Sequence, residues 1–239
     1  MSHNGLKLFV ILIVLTACQA LQTQKAEKKV VLVSIDGLRP EFYLSDRFSA
    51  PHLKMMKEQG SYVNKMLSVF PTVTYPNHTT MITGALPQEH GVFSNTRFNN
   101  GPTTEWYWDE RLIRVKTIWD LLQEKNFETA SLNWPVTMYA NINYLVPEVY
   151  QLKPWFSDPT PILIEKNSTA GLVKKINEFY KTTTFATMEA ADKWAANAFE
   201  YIYQCELPKS GSRYEGYANQ EELCKRWETI NYWSCDDNE

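Results

Sequence analysis

Two residues of this chain, Asp36 and Thr74, are of the types and in the settings that could do chemistry together. Asp36 ends the apolar run Val30-Val31-Leu32-Val33-Ser34-Ile35 and precedes Gly37. Thr74 lies between two prolines in Phe70-Pro71-Thr72-Val73-Thr74-Tyr75-Pro76-Asn77-His78. A carboxylate at the carboxyl end of a strand and a hydroxyl on a proline-bracketed turn are the parts of a metal-activated nucleophile. The carboxylate binds a cation, the cation lowers the hydroxyl's pKa, and the resulting alkoxide attacks phosphorus. Each residue alone has a plainer reading. An Asp-Gly pair after a strand marks a turn or a helix cap, and threonine is common on strand edges.

The elements that must position this pair follow from the periodicity. The β-branched run 30–35 predicts a strand buried on both faces of a parallel sheet. Pro51 opens a helix that Gly60 ends, with Leu53 and Met56 on its inner face. Residues 62–70 read as the next strand, with Thr74 on the loop after it and Asn77 capping a short helix through Thr83 to Gly84. Thr117-Ile118-Trp119-Asp120 has the form of a capping box, with Ile118, Leu121 and Leu122 inward. Residues 128–133 read as a strand, and 161–180 and 187–204 as helices. The last carries an apolar stripe of Ala191, Trp194, Ala195, Ala198 and Ile202. Strands alternating with helices predict an α/β fold, a mostly parallel sheet sandwiched by helices. Ligands of such folds bind beyond the carboxyl ends of the strands, where Asp36 and Thr74 both fall.

The ends read differently from the body. Lys7, the apolar stretch 8–15 and the small residues Thr16 and Ala17 make residues 1–17 a secretory signal, too short to span a bilayer as a mature helix. Leu15-Thr16-Ala17-Cys18 has the form of a lipoprotein signal, in which Cys18 is lipidated and anchors the protein to a membrane. The alternative is cleavage near Ala17 or Ala20 with an incidental cysteine. Residues 18–29 are polar and suit a tether. Both readings place the protein outside the cytoplasm, periplasmic or extracellular. A net charge of −3 gives no electrostatic case for nucleic-acid binding. Cys205, Cys224 and Cys235 form no CxxC and have no histidine near them, so zinc-finger spacing is absent. Asn77-His78-Thr79 and Asn167-Ser168-Thr169 match the glycosylation sequon.

The segments 33–39 (Val-Ser-Ile-Asp-Gly-Leu-Arg), Ala50-Pro51-His52-Leu53, 70–78, Thr83-Gly84, His90-Gly91 and Asn95, together with Ser131-Leu132-Asn133-Trp134-Pro135, resemble the nucleotide pyrophosphatase/phosphodiesterase family. That family belongs to the alkaline-phosphatase-like superfamily. The resemblance implies that residues 30–204 are the amino-terminal part of an alkaline-phosphatase-like domain and leaves 205–239 as a divergent tail. It also implies a hydrolase that uses two zinc ions on phosphodiester or pyrophosphate bonds of nucleotides. Asp36 matches a zinc ligand, and Thr74 matches the residue that is both ligand and nucleophile. Asn95 matches the amide that binds a non-bridging phosphate oxygen. Tyr75 matches an aromatic that stacks on a nucleobase, a contact of ~1–3 kcal/mol in other systems. Trp155 is a candidate for the second aromatic of that slot. Two of these residues keep a plainer alternative: an Asx turn for Asn95 and core packing for Tyr75. His78 and His90 match no metal position and read as backbone-bonding histidines. Arg39 and Lys65 read as solvated surface charges.

The family's remaining zinc ligands are an Asp-x-x-x-His pair, an Asp-His pair and a late histidine. This sequence contains neither pair, and the last of its 4 histidines is His90. A complete two-zinc cage therefore cannot be built from these residues. Two alternatives to the nucleotide hydrolase follow. One is another phosphoesterase of the superfamily; the other is a catalytically inactive, membrane-anchored fragment or binding module.

Overall fold

The computed structural model describes residues 29–98, 102–149, 159–182 and 188–206. The expectations for residues 1–28, Cys18 included, and for Trp155, Cys224 and Cys235 lie outside these residues. The chain divides into two units. One joins Met1–Leu32 with Pro208–Glu239, and of it only residues 29–32 are described, without helix or strand. The other is Val33–Leu207 and holds the elements that position the site.

The unit begins with a turn. Leu38 N–H bonds the carbonyl of Ile35, so Asp36 and Gly37 are its central residues, and Gly37 has φ +70°. Positive φ at the third position of a turn is what glycine allows without steric cost. Helices α1 (Glu41–Leu44) and α2 (Pro51–Gln59) follow. Pro51 opens α2 and Gly60 follows it, as the punctuation predicts. Leu53 is half-buried, but Met56 is 64% exposed, so only part of the expected inner face is covered.

Helix α3 (Thr74–Thr83) begins immediately after Val73 and makes Thr74 its first residue, not a loop residue. Asn77 does not cap it. Its Oδ1 accepts the N–H of Val69 (2.9 Å), and its Nδ2 donates to the carbonyl of Val73 (2.8 Å). The side chain is spent on clamping the incoming loop to the first turn, so the helix starts earlier than a cap at Asn77 would allow. Gly84 ends it at φ +67°, its N–H on the Thr80 carbonyl.

Helix α4 (Pro87–His90) leads into an antiparallel pair, β1 (Thr96–Phe98) with β2 (Pro102–Trp106). Helix α5 (Ile118–Gln123) has the expected capping box: the Thr117 hydroxyl accepts the Asp120 N–H, and the Asp120 carboxylate accepts that of Thr117. Its buried face is Trp119, however, while Ile118 and Leu121 are 49% and 47% exposed. Strands β3 (Ala130–Leu132) and β4 (Tyr144–Val146) pair in parallel.

The mostly parallel sheet is not what the described residues show. They hold two two-stranded pairs, one antiparallel and one parallel. The runs 30–35 and 62–70 form no strand, and Val30, Leu67 and Phe70 are 92%, 87% and 88% exposed. A strand exists through its ladder of hydrogen bonds to neighbours, and these runs have no such ladder among the described residues. The α/β content itself stands, as small sheets among helices.

The single helix expected over 161–180 is two, α6 (Pro159–Asn167) and α7 (Leu172–Tyr180). Asn167 Nδ2 and Ser168 Oγ bond the carbonyls of Leu163 and Ile164, which closes α6, and Gly171 turns the chain at φ +75°. Helix α8 (Met188–Tyr201) continues into a π-helical turn, Ile202–Glu206. Four of its five stripe residues are buried as expected: Ala191, Trp194, Ala198 and Ile202 pack with Ile164 and Ile176, while Ala195 is half-buried and outside this cluster. Trp194 also donates to Asn177 Oδ1 (2.8 Å), which satisfies its N–H inside the core. Among the described residues, no helix is long and apolar enough to cross a membrane.

Ile176 has no exposed surface and is central to this packing. Ile176→Ala is expected to cost about 2–5 kcal/mol of stability, read from the urea unfolding midpoint. A change under about 1 kcal/mol would mean that this cluster does not hold the helices together.

Candidate active site

The site forms where the Asp36 turn meets the amino-terminal end of α3. Thr74 Oγ1 donates to Asp36 Oδ2 at 3.2 Å. The pair singled out in the sequence is thus in direct contact. As the first residue of α3, Thr74 also sits at the positive end of the helix dipole, which favours negative charge on or near its oxygen. In that first turn, Tyr75 N–H is taken by Asn95 Oδ1 (2.9 Å), Pro76 has no N–H, and Asn77 N–H reaches the Val73 carbonyl. The Thr74 N–H has no partner among the described residues and is the donor left over for an incoming anion.

Asn95 is held by both of its acceptors. Its side-chain oxygen accepts from Tyr75, and its carbonyl accepts the N–H of Tyr107 (3.0 Å). An amide whose oxygen is fixed has a fixed nitrogen, and Asn95 Nδ2 makes no hydrogen bond to a described residue. Asn95 therefore stands one residue from Thr74 through a backbone bond, with its donor end uncommitted.

Tyr75 points the other way. It has no exposed surface and packs with Val92 and Val136, its ring edge-on to Trp106 at 5.3 Å. Its hydroxyl donates to Glu148 Oε1 (3.0 Å). The ring offers no free face for a base to stack on. Of the sequence-derived site residues, the structure brings Asp36, Thr74 and Asn95 together and places Tyr75 beneath them.

Three site neighbours were not among the catalytic, metal or substrate residues expected from the sequence, although His78 bonds the backbone as expected. Glu148 is one. Burial pushes its carboxyl up from an ordinary 4.5 to about 7; the Tyr75 hydroxyl pulls it down, and the negative charge of Asp36 adds to the rise. Ser34 and His78 are the others. His78 is 7% exposed, with Nδ1 2.8 Å from the Thr74 carbonyl and Nε2 2.8 Å from Ser34 Oγ. A helical histidine four residues after a candidate nucleophile lies one turn along the same face, and that spacing was the available clue.

The donor set for zinc is incomplete. Asp36 and Thr74 supply two oxygen donors, and among the described residues no group of three His, Cys, Asp or Glu could hold a metal. His78 has both ring nitrogens engaged. So does His90, whose Nδ1 accepts the Val92 N–H and whose Nε2 meets Thr80 Oγ1 (3.1 Å). Its burial lowers its pKa, which keeps it neutral.

Residues 30–228 match the family model of type I phosphodiesterases / nucleotide pyrophosphatases. The chain belongs to this family. The resemblance drawn from the motifs is borne out, and the match runs beyond Gln204 into the tail. Among curated relatives, an uncharacterized pyrophosphatase/phosphodiesterase of Schizosaccharomyces pombe is 29% identical over 151 residues, 57% of this chain and 28% of the yeast protein. A bis(5′-adenosyl)-triphosphatase of Bos taurus is 24% identical over 184 residues, 73% of this chain and 38% of its own length. Ectonucleotide pyrophosphatase/phosphodiesterase family member 7 of Mus musculus is 30% identical over 145 residues, 56% of this chain and 32% of its own. The chain thus spans between 28% and 38% of the length of these three phosphodiesterase-family relatives.

Glu148 makes stability pH-dependent in a defined direction. Its folded pKa lies above its unfolded one, so the folded state binds the extra proton between 4.5 and about 7. Its contribution is full below that window and is lost as pH rises through it, by roughly 3 kcal/mol. Unfolding midpoints in urea at about pH 5 and about pH 8 should differ less in Glu148→Gln than in the unmodified protein. Equal differences would show that Glu148 is not the group responsible.

Proposed function

We propose that this chain carries the nucleophile of a hydrolase that cleaves phosphodiester or pyrophosphate bonds of nucleotides. The observation behind this reading is the Thr74–Asp36 hydrogen bond at the head of α3, in a chain of the phosphodiesterase/pyrophosphatase family. Thr74 is the attacking residue: its Oγ1–phosphorus bond forms as the bond to the leaving group breaks, which yields a phosphorylated or nucleotidylated threonine. Asp36 accepts the hydroxyl's hydrogen bond and so aims its lone pair. The hydroxyl's proton passes to Asp36 as the leaving group departs as an anion. Water then attacks phosphorus, the bond to Thr74 Oγ1 breaks, Asp36 returns its proton to that oxygen, and the proton lost by the water neutralises the departed anion.

Charge that builds on the non-bridging oxygens would be met by two donors that bond no described residue, the Thr74 N–H and Asn95 Nδ2, together with the positive end of α3. Zinc, as cofactor, would lower the pKa of the Thr74 hydroxyl. Asp36 and Thr74 would be its ligands on this chain, and further ligands would have to come from outside the described residues.

One observation favours a second reading of the substrate. Tyr75 is buried, so a phosphodiester recognised by its phosphate rather than by a stacked base fits this geometry as well. That would make the chain another phosphoesterase of the superfamily. The leader-like residues 1–17 and Cys18 support placement outside the cytoplasm, on a membrane where Cys18 carries lipid.

Release of p-nitrophenol from thymidine 5′-p-nitrophenyl phosphate and from bis(p-nitrophenyl) phosphate tests both readings. Thr74→Ala is expected to abolish hydrolysis, whereas Thr72→Ala keeps it. Asn95→Ala should lower kcat by about 10²–10³-fold. Full activity in Thr74→Ala sinks the proposal, and a preference for the substrate without a nucleoside selects the second reading.

A further inference from the structure

Asp36 and Thr74 come from segments far apart in the chain, and a 3.2 Å hydrogen bond between two partly solvated side chains does not hold them in register by itself. A second link lies beside it. Ser34, two residues before Asp36, has its Oγ 2.8 Å from His78 Nε2. His78 Nδ1 is 2.8 Å from the main-chain carbonyl of Thr74 itself. A carbonyl only accepts, so Nδ1 carries a proton and donates to Thr74, which leaves Nε2 to pair with the Ser34 hydroxyl. The ring is buried and lies edge-on to Trp134 at 5.1 Å, so it is not free to reorient.

These contacts close a circuit: Asp36 to Thr74 through the side chains, Thr74 to His78 along α3, His78 to Ser34, and Ser34 back to Asp36 along the chain. Residues 33–35 have no strand partner among the described residues, so side-chain ties are what fasten the Asp36 turn to the nucleophile.

We propose that His78 is a positioning residue for phosphoryl transfer, a bridge that uses one nitrogen to hold the main chain of Thr74 and the other to hold the Asp36-bearing segment through Ser34. The role rests on the reading of Thr74 as nucleophile. It requires no metal, and both ring nitrogens of His78 are engaged within the protein. Positioning of this kind matters because a misplacement of about 1 Å can cost about 10²-fold in rate.

Ser34 is the residue to change, since it is exposed and its loss leaves the core intact. The experiment follows the Thr74 methyl resonance in protein with ¹³C-methyl threonine, assigned by its disappearance in Thr74→Ala. Asp36→Ala marks where that signal moves when the hydroxyl loses its acceptor. Ser34→Ala is expected to move it in the same direction, while Ser34→Thr, which keeps the hydroxyl, leaves it in place. In parallel, Ser34→Ala should lower kcat by about 10-fold or more with KM unchanged, and Ser34→Thr should restore it.

A Thr74 signal unmoved by Ser34→Ala overturns the proposal, whatever happens to thermal stability or rate. A chain that hydrolyses neither nitrophenyl substrate would overturn the functional reading instead, and the methyl signal would still decide whether the bridge positions Thr74.

Discussion

The proposed chemistry depends on one contact that is weak in itself, the hydrogen bond from Thr74 to Asp36 at the amino-terminal end of α3. A hydrogen bond to a charged acceptor contributes on the order of 1.5–3 kcal/mol net and less where water competes. Its geometry must therefore be imposed by what surrounds it. Asn77 clamps the loop that delivers Thr74, and Gly37 allows the tight turn that presents Asp36. Below, Tyr75 is sunk into a core with Val92 and Val136 and anchored at both ends, its N–H on Asn95 and its hydroxyl on Glu148. The proposed nucleophile thus directly precedes a residue that is buried and bonded at both ends.

The same arrangement concentrates charge. Asp36 is close enough to the half-buried Glu148 for its charge to raise the pKa of Glu148. Against them stand the positive end of α3 and the uncommitted donors of Thr74 and Asn95. A carboxylate beside the proposed nucleophile repels an anionic substrate unless a cation joins it. That is the electrostatic reason why a metal belongs to the proposed chemistry, although the described residues do not complete its cage.

Local signals were legible wherever the physics is local. Pro51 and Gly60 bound α2, Thr117 and Asp120 form their capping box, and the stripe from Ala191 to Ile202 is buried as its spacing requires. Errors arose where a partner decides. The runs 30–35 and 62–70 have strand composition but no ladder among the described residues, and composition cannot supply one. In α5 the capping box was clear but the buried face was not, because Trp119 offered more surface to bury than Ile118 or Leu121. In α3 the cap was misplaced because Asn77 bonds backward to Val69 and Val73, a use of the side chain that looks the same in sequence as capping.

The sequence by itself determined the family and the chemical identity of the candidate nucleophile pair, since both reside in residue types and their order. It also determined both ends of α2, the end of α3 and the start of α5, because caps, prolines and glycines act within a few residues. It showed neither α1 nor α4, however, and read α6 and α7 as one helix. Only the tertiary structure decided that Asp36 and Thr74 touch, that the Tyr75 ring faces the core, and that Glu148, Ser34 and His78 belong to the neighbourhood of the site. These are contacts between segments distant in the chain, and they depend on how the elements pack. A residue's type states which bonds it can make; the fold selects which of them it does make.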